Sequence, residues 1–190
     1  MSVKDCIKRR RTIRKFTERK IPKELLVSYI DCARLAPSGA NIQPLKYAIV
    51  SKEQTVHDIF QNVKWAAYLK GAYVPSADEM PTAFIAVMKD KNIASAMTEF
   101  DAGAAVMSIH LAAEEDGVGC CIMGAIDRPN ISRILGLEEH LELLYMIALG
   151  YKKEQPICAD MEQGDVKYYV ENHCLNVPKR KLEDILVKVD

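Results

Sequence analysis

The sequence predicts a layered α+β or α/β domain. Short apolar runs typical of buried strands alternate with segments of helical periodicity. A long segment rich in small residues occupies the middle of the chain and predicts a helix that packs closely on several sides. The chain has 190 residues, of which 49% are hydrophobic and 27% are charged, so a single domain with a sizeable core is expected.

The first predicted elements are a helix, a loop and a strand. Pro22 stands at the start of the helix, where proline is favoured, and apolar residues follow it at helical spacing. The pattern stops at residues 37–44, whose Pro, Ser, Gly and Asn content is typical of a loop. Residues 46–51 predict a short buried strand.

The next elements repeat the alternation. Residues 53–63 predict a helix, 64–81 a long irregular connection, and 82–88 a second strand. The small-residue segment, 95–116, predicts a helix that ends at Gly117. That helix is expected at the centre of the fold or in a subunit interface. Residues 119–123 predict a third strand, Pro129 starts a further helix, and 143–149 predict a fourth strand.

The pattern weakens from residue 151 onward. This segment contains Pro156, Gly164 and Pro178, and does not look able to form a core of its own. Two interpretations are open. It is either an arm that wraps around another subunit or a loop-rich tail that packs on its own subunit.

Composition excludes several classes of protein. The 26 basic and 26 acidic residues cancel, so no overall positive field favours nucleic acid or an anionic membrane. No apolar stretch is long enough to span a bilayer, and the N-terminus has no apolar leader, so a cytoplasmic protein is expected. The six cysteines match no zinc pattern, which predicts reduced thiols with mainly structural roles, the Cys120–Cys121 pair included.

Common catalytic motifs are missing from the sequence. It has no dinucleotide-binding glycine motif, no Walker loop, no nucleophile elbow and no zinc-protease motif. The four histidines have no metal-ligand spacing, and His110 in the small-residue helix is expected to be packed or solvated rather than a base. A metal enzyme or a triad enzyme is therefore poorly supported.

Three other features can bind a ligand. The run from Arg10 to Arg14 combines forked guanidinium donors with the Thr12 hydroxyl, a combination suited to a phosphate, although a basic solvated turn is equally open. Residues 37–44 offer small residues and amides between a helix and a strand, where binding loops often lie. Gly124, at the end of a strand, can present its N–H to a ligand.

Six motifs in register resemble the nitroreductase-like family of FMN-dependent oxidoreductases. The family opening R-R-S/T-x-R-x-F/Y corresponds to residues 10–16, and A-P-S-x-x-N-x-Q-P corresponds to Ala36–Pro44. The other similarities lie in residues 64–69 with 81–85, 101–105, 117–124, and 135–151 with 178–183. Each motif alone is a weak signal, but together the motifs follow the order of the family and cover nearly the whole chain.

The resemblance implies a three-layer α+β fold with a central, mixed but mostly antiparallel sheet flanked by helices. It also implies one domain over residues 1–190 and an intertwined homodimer, in which residues 151–190 form an arm. Two FMN sites would lie at the interface, each built from both subunits.

The resemblance also assigns roles to residues. The residues implied at the FMN phosphate and ribityl chain are Arg10, Arg11, Thr12 and Arg14, joined by Lys179 or Arg180. Those implied from the partner subunit's loop are Pro37, Ser38, Gly39, Asn41 and Gln43. Met123 and Gly124 would lie at the isoalloxazine ring, with the Gly124 N–H near N5. Lys64 would be the cation near N1 and O2, where the reduced flavin carries negative charge.

The implied function is a flavin-dependent reductase. NADH or NADPH would reduce FMN by hydride transfer to N5, and an electrophilic small molecule (a nitroaromatic, quinone or activated alkene) would then be reduced in a ping-pong cycle. The alternatives are an FMN enzyme of another chemistry (dehalogenase, dehydrogenase or flavin-consuming) and a non-catalytic flavin-binding protein. A nucleic-acid binder is disfavoured, because only Phe16 offers an aromatic group beside the basic run.

Overall fold

A four-stranded antiparallel sheet forms the centre of the computed structural model, which describes residues 2–69 and 71–189. The strands are β1 (Leu45–Val50), β2 (Ala83–Asp90), β3 (Val118–Met123) and β4 (Leu141–Tyr151). Their order is β1-β2-β4-β3. Every pairing is antiparallel, so the fold is α+β. An isolated parallel bridge joins Thr12 to Cys120 of this sheet.

The side chains of β2 explain the three layers. Ala83, Ile85 and Val87 point into a core shared with two helices, whereas Phe84, Ala86 and Met88 point into a second core on the opposite face. Successive strand residues alternate between faces, so an unbroken apolar run is required when both faces are buried. The sheet therefore lies between two helical layers.

The helices of the described residues pack on both faces of the sheet. Their bounds are α1 (Val3–Arg9), α2 (Lys23–Arg34), α3 (Glu53–Phe60), α4 (Thr98–Glu115), α5 (Arg128–Leu135) and α6 (Leu182–Ile185). Helices α2 and α4 cover one face, and α3 and α5 cover the other. The predicted helices are confirmed with ends shifted by a few residues. None of the helices in the described ranges has the length and apolar character needed to cross a membrane.

Helix α1 was missed by the sequence analysis. Its start carries a capping box, in which the Ser2 hydroxyl accepts a hydrogen bond from the Asp5 N–H at 3.2 Å and the Asp5 carboxylate accepts one from the Ser2 N–H at 3.2 Å. This Ser-x-x-Asp spacing is a recognisable helix-start signal. The basic residues that follow it indicated a charged segment rather than a helix.

Helix α4 is apolar on almost every side. Ala105, Ile109 and Ala113 are buried against α2 and the sheet. Phe100 and Met107, on another side, are 58% and 39% exposed. The helix ends before Gly117, whose φ of +74° lies in the left-handed region that favours glycine.

The segment 10–17, which we call the N-terminal arm, lies extended across the sheet. Ile13 and Phe16 are buried in the same core as α3 and α5. They pack over Gly119 and Gly150, which face each other in neighbouring strands β3 and β4. A Cβ atom would lie 2.6 Å from the Ile13 side chain at Gly119 and 2.7 Å from the Phe16 side chain at Gly150. The segment is therefore ordered and extended rather than a solvated turn.

The C-terminal segment folds into a small sheet. Its strands are β5 (Ile157–Asp160), β6 (Tyr169–Glu171) and β7 (Cys174–Lys179), in the order β5-β7-β6. Most of their residues are exposed, so the pattern of buried positions that identifies strands from sequence is weak.

Contacts within the subunit hold this segment to the N-terminal arm. The Glu154 carboxylate accepts hydrogen bonds from the backbone N–H groups of Arg14 and Lys15, and from the Tyr73 hydroxyl. The Tyr168 ring lies 4.8 Å from the Arg14 guanidinium carbon. A role for residues 151–190 as an arm between subunits stays a prediction.

Candidate functional site

Two cavities lie on different sides of α4. The loop cavity, about 240 Å³, is bounded by α2, residues 36–47 and the Asp101 and Ala105 side of α4. The arm cavity, about 180 Å³, is bounded by Arg10, β3, β4 and the Ala102, Val106 and His110 side of α4. At about 100° per residue, the directions of these two sets of α4 residues are centred about 120° apart. One chain therefore keeps the two predicted groups of ligand-binding residues apart.

Asp101 anchors the loop beside the loop cavity. Its carboxylate, 2% exposed, accepts a hydrogen bond from the Ser38 hydroxyl at 2.7 Å and one from the Gly39 N–H at 2.9 Å. Ser38 Oγ in turn accepts from the Gln43 N–H at 2.9 Å. The sequence patterns indicate no role for Asp101. Its signal was an acidic residue followed by a long run of small and apolar residues on α4.

The backbone of this loop adopts unusual conformations. Ala40, Asn41 and Gln43 have φ values of +48°, +56° and +55°, which residues other than glycine seldom adopt. Gly39 is needed for a different reason, because a Cβ atom there would lie 2.7 Å from the Met97 side chain. Such conformations persist only where surrounding contacts enforce them, and they cluster at binding sites.

The polar side chains of the loop face outward. Pro37, Asn41 and Gln43 are exposed, and the Gln43 side-chain amide donates to the Asn41 backbone and side-chain oxygens at 3.0 Å. Ser38 and Gly39 are half-buried by their contacts with Asp101. All five predicted loop residues are thus neighbours, with Asn41 and Gln43 presented to the outside.

The arm cavity runs along β3. Thr12 bridges to Cys120 in this strand, and Gly124 follows the strand end, where its nearest side chain is that of Tyr145. Gly124 comes four residues after Cys120, which in an extended strand is a distance of about 13 Å. Ile122 lies between them on the face of β3 that carries Cys120, and it is 45% exposed. Its side chain therefore forms an apolar part of the cavity wall.

Unsatisfied polar atoms lie at the arm end. The side-chain Nε atoms of Arg10 and Arg11 and the Nε2 atom of His110 are buried without a hydrogen-bond partner. Buried polar groups are nearly always hydrogen-bonded, so such atoms indicate a missing ligand or water. Arg10 and His110 both line the arm cavity.

Arg11 is directed elsewhere. Its guanidinium donates hydrogen bonds to the backbone oxygens of Lys8 at 3.0 Å and Arg10 at 2.6 Å, at the C-terminal end of α1. A cation at this position also favours the helix dipole. The structure thus gives Arg11 a contact with α1, while Arg10 faces the cavity.

The predicted ring-binding residues lie at the far end of β3. The Met123 side chain is buried in the core shared with α3 and α5, so Ile122 presents its side chain to the arm cavity in its place. At Gly124, an added Cβ atom would meet Tyr145 atoms at 3.8 Å, which is ordinary contact. The Lys64 N–H donates to the Ala125 carbonyl at 3.0 Å, which brings exposed Lys64 beside this turn.

The C-terminal basic pair lies on the small sheet. Lys179 ends β7, where it pairs with Asp160 of β5 and accepts a hydrogen bond from the Met161 N–H at 2.9 Å. Lys179 and Arg180 are exposed, and neither lines the two cavities beside α4 within the described ranges. Their assignment to the phosphate stays a prediction.

The adjacent cysteines are structural. Cys120 and Cys121 are buried free thiols on opposite faces of β3. Burial raises the pKa of both, to about 11 for Cys121. The thiolate is the reactive form, so these thiols are poor nucleophiles at neutral pH.

Known proteins are similar to this chain in sequence. The profile of the Nitroreductase family matches residues 7–151. A Methanothermobacter thermautotrophicus protein that carries the name NADH dehydrogenase/NAD(P)H nitroreductase is 30% identical over 176 residues, which cover 87% of this chain and 85% of that protein.

Solved structures agree on the fold. A protein from Desulfovibrio desulfuricans, crystallised as a nitroreductase in complex with FMN, matches with a TM-score of 0.74 at 20% identity over 100% of this chain and 98% of that chain. Iodotyrosine deiodinase bound to FMN and 3-iodo-L-tyrosine matches with a TM-score of 0.71 at 22% identity over 90% of this chain and 100% of that chain. The predicted nitroreductase-like α+β fold is confirmed, and the chain belongs to the nitroreductase family.

Proposed function

We propose that this protein is an FMN-dependent oxidoreductase that uses NADH or NADPH to reduce an electrophilic small molecule, such as a nitroaromatic, a quinone or an activated alkene. The observation that carries the proposal is the arm cavity. Its wall includes the unsatisfied Arg10 guanidinium nitrogen and Tyr145, and exposed Gly124 lies beside Tyr145.

The residues of the arm cavity fit FMN. Arg10 supplies a donor for the phosphate. Thr12 follows it in the N-terminal arm and is bridged to Cys120 of β3. The separation of about 13 Å along the strand is comparable with the length of a ribityl phosphate carrying a flavin ring. The exposed Ile122 side chain offers a flat apolar contact for the ring. Lys64 lies beside the Gly124–Ala125 turn, in keeping with a cation near N1 and O2.

A homodimer would complete the site. The loop cavity and the arm cavity lie on different sides of α4, so the loop of residues 37–43 would reach an arm cavity in a second copy of the chain. The exposed Phe100 and Met107 side chains on α4 offer an apolar surface for that contact. Leu182, Ile185 and Val187 are also exposed, in keeping with a C-terminal arm that packs on the partner and brings Lys179 and Arg180 with it.

The protein's own contribution would be binding and orientation. FMN, when bound, supplies the hydride chemistry, so the chain needs no catalytic acid or base. Arg10, Thr12 and Arg14 would fix the phosphate end, Gly124 would hold the ring edge, and Ile122 would shield one ring face from water. The same cavity would admit nicotinamide and acceptor in turn.

The visible spectrum tests this function. We expect the purified protein, reconstituted with FMN, to show flavin absorption bands that bleach under anaerobic NADH or NADPH and return on addition of a quinone or nitroaromatic. Bands that persist with both nucleotides would contradict the reductase and leave a flavin protein of another chemistry. Failure to retain FMN would contradict the whole proposal.

Arg14→Ala is expected to weaken FMN binding. A charge-assisted contact to a phosphate contributes about 1.5–3 kcal/mol, which corresponds to a dissociation constant about 10- to 150-fold higher. The dissociation constant can be measured by quenching of flavin fluorescence. Arg133→Ala is the matched control, because Arg133 lies on α5 and donates to Asn130. Equal affinity in wild type and Arg14→Ala would refute the phosphate assignment of Arg14.

A further inference from the structure

His110 is a buried titratable group for which the reductase chemistry has no need. It lies on α4, is 3% exposed and lines the arm cavity together with Arg10. Its Nε2 atom is buried without a hydrogen-bond partner, as is the Nε atom of Arg10. An imidazole nitrogen buried unpaired in an apolar environment is costly unless a ligand satisfies it. Two such atoms at one end of a cavity indicate a ligand with several acceptor oxygens.

The charges around His110 favour an anion. Arg10 contributes a positive charge from the N-terminal arm, and Lys152, just after β4, contributes another that is paired with Glu114 of α4. Arg10, Lys152 and Glu114 also lie close enough to affect the Cys120 thiol on β3, whose pKa is raised mainly by burial. Glu99 and Tyr145 are hydrogen-bonded to each other and line the same cavity. Glu99 lies more than two helical turns along α4 from His110. The positive charge of Arg10 therefore has no matching anion in the described wall of the cavity near His110.

We propose that His110 binds the FMN phosphate through Nε2 and takes up a proton when that phosphate enters, so that FMN binding tightens as the pH falls. This inference rests on the proposed FMN site and adds to it a phosphate-binding residue and a dependence of FMN affinity on pH. A phosphomonoester dianion matches the site because it offers acceptor oxygens to both unpaired nitrogens and a charge that stabilises an imidazolium.

The direction of the pH effect follows from the pKa of His110. Burial, assisted by the positive charges of Arg10 and Lys152, lowers this pKa from 6.5 to about 4, so the imidazole is neutral at pH 7 before the phosphate binds. A bound dianion stabilises the protonated form and raises the pKa. Between the two pKa values binding takes up a proton, and affinity rises as the pH falls through that window.

The test compares FMN affinity across pH in wild type and His110→Gln. Glutamine can still donate a hydrogen bond but cannot titrate. Between about pH 8 and about pH 6, we expect the affinity of wild type relative to the variant to rise by up to about tenfold per pH unit. The phosphate of FMN itself titrates near about pH 6 and affects both proteins equally, so the ratio isolates His110. Riboflavin, which lacks the phosphate, should show no such difference.

A second measurement uses wild type alone and covers the case in which His110→Gln fails to fold. Calorimetric titration with FMN in two buffers of different ionisation enthalpy counts the protons taken up, and we expect close to one at about pH 7. No proton uptake, or parallel pH profiles in wild type and His110→Gln, would overturn the role of His110 while leaving the FMN site intact. Loss of FMN binding by wild type at every pH would overturn the proposed function itself.

Discussion

Gly150→Ala is expected to destabilise the protein by about 3 kcal/mol or more and to abolish FMN retention. The new Cβ atom would lie 2.7 Å from Cβ and 2.8 Å from the ring of Phe16, which is fully buried. Because Phe16 is fully buried and the Gly150 backbone belongs to β4, the N-terminal arm must shift to relieve the clash. Forced overpacking costs about 1–3 kcal/mol, and loss of Phe16 burial adds about 1.5–3 kcal/mol. Displacement of the arm would also move Arg10, Thr12 and Arg14 away from β3.

Urea unfolding and FMN titration measure the two effects separately. Gly103→Ala is the matched control for stability, because no atom lies within 4 Å of a Cβ atom there. Since Gly103 lies inside a helix, that change should stabilise the chain by up to about 1 kcal/mol. Unchanged stability of Gly150→Ala would mean that the arm does not depend on the paired glycines.

Asp101→Ala is expected to release the loop of residues 37–43 and to cost about 3 kcal/mol or more. It removes two hydrogen bonds to a buried carboxylate, from Ser38 and Gly39, each worth about 1.5–3 kcal/mol. Without them, the left-handed backbone of Ala40 and Asn41 loses its hydrogen-bonded attachment to α4. If the loop completes the partner subunit's site, FMN retention should fall together with stability.

Amide hydrogen exchange at Gly39 and proteolysis within residues 38–44 report the release directly. Asp101→Asn is the matched control, because its side-chain oxygen keeps one acceptor of similar shape, and we expect a smaller effect. A loop that stays protected in Asp101→Ala would show that Asp101 does not anchor it. A released loop with unchanged FMN affinity would argue against its place in the site.

Much of the fold could be predicted because its signals are local. The apolar run of β2 and the helical spacing of α2 follow from side-chain periodicity, which neighbouring residues carry by themselves. The loop at residues 37–44 and the helix end at Gly117 are likewise indicated by the residues at those positions. Family motifs are local strings as well, which is why the resemblance could be found and the family membership is confirmed.

Other features escaped prediction because their signals were short or weak. Helix α1 has one capping box and one buried residue, Cys6. The strands of the C-terminal sheet are largely exposed, so they lack the alternation that a buried face imposes. The placement of Met123 and Ile122 on opposite faces depends on the strand register, which a motif string does not state.

By itself, the sequence determined the order of helices and strands from α2 to β4 and the family, and it predicted residues for a phosphate and for a ring edge. Only the tertiary structure decided that Gly119 faces Gly150, that Asp101 holds the loop, and that His110 lies unpaired beside Arg10. The physical reason is distance along the chain. Ser38 and Asp101 are 63 residues apart, and the contact between them depends on packing of the whole fold, which no local pattern encodes.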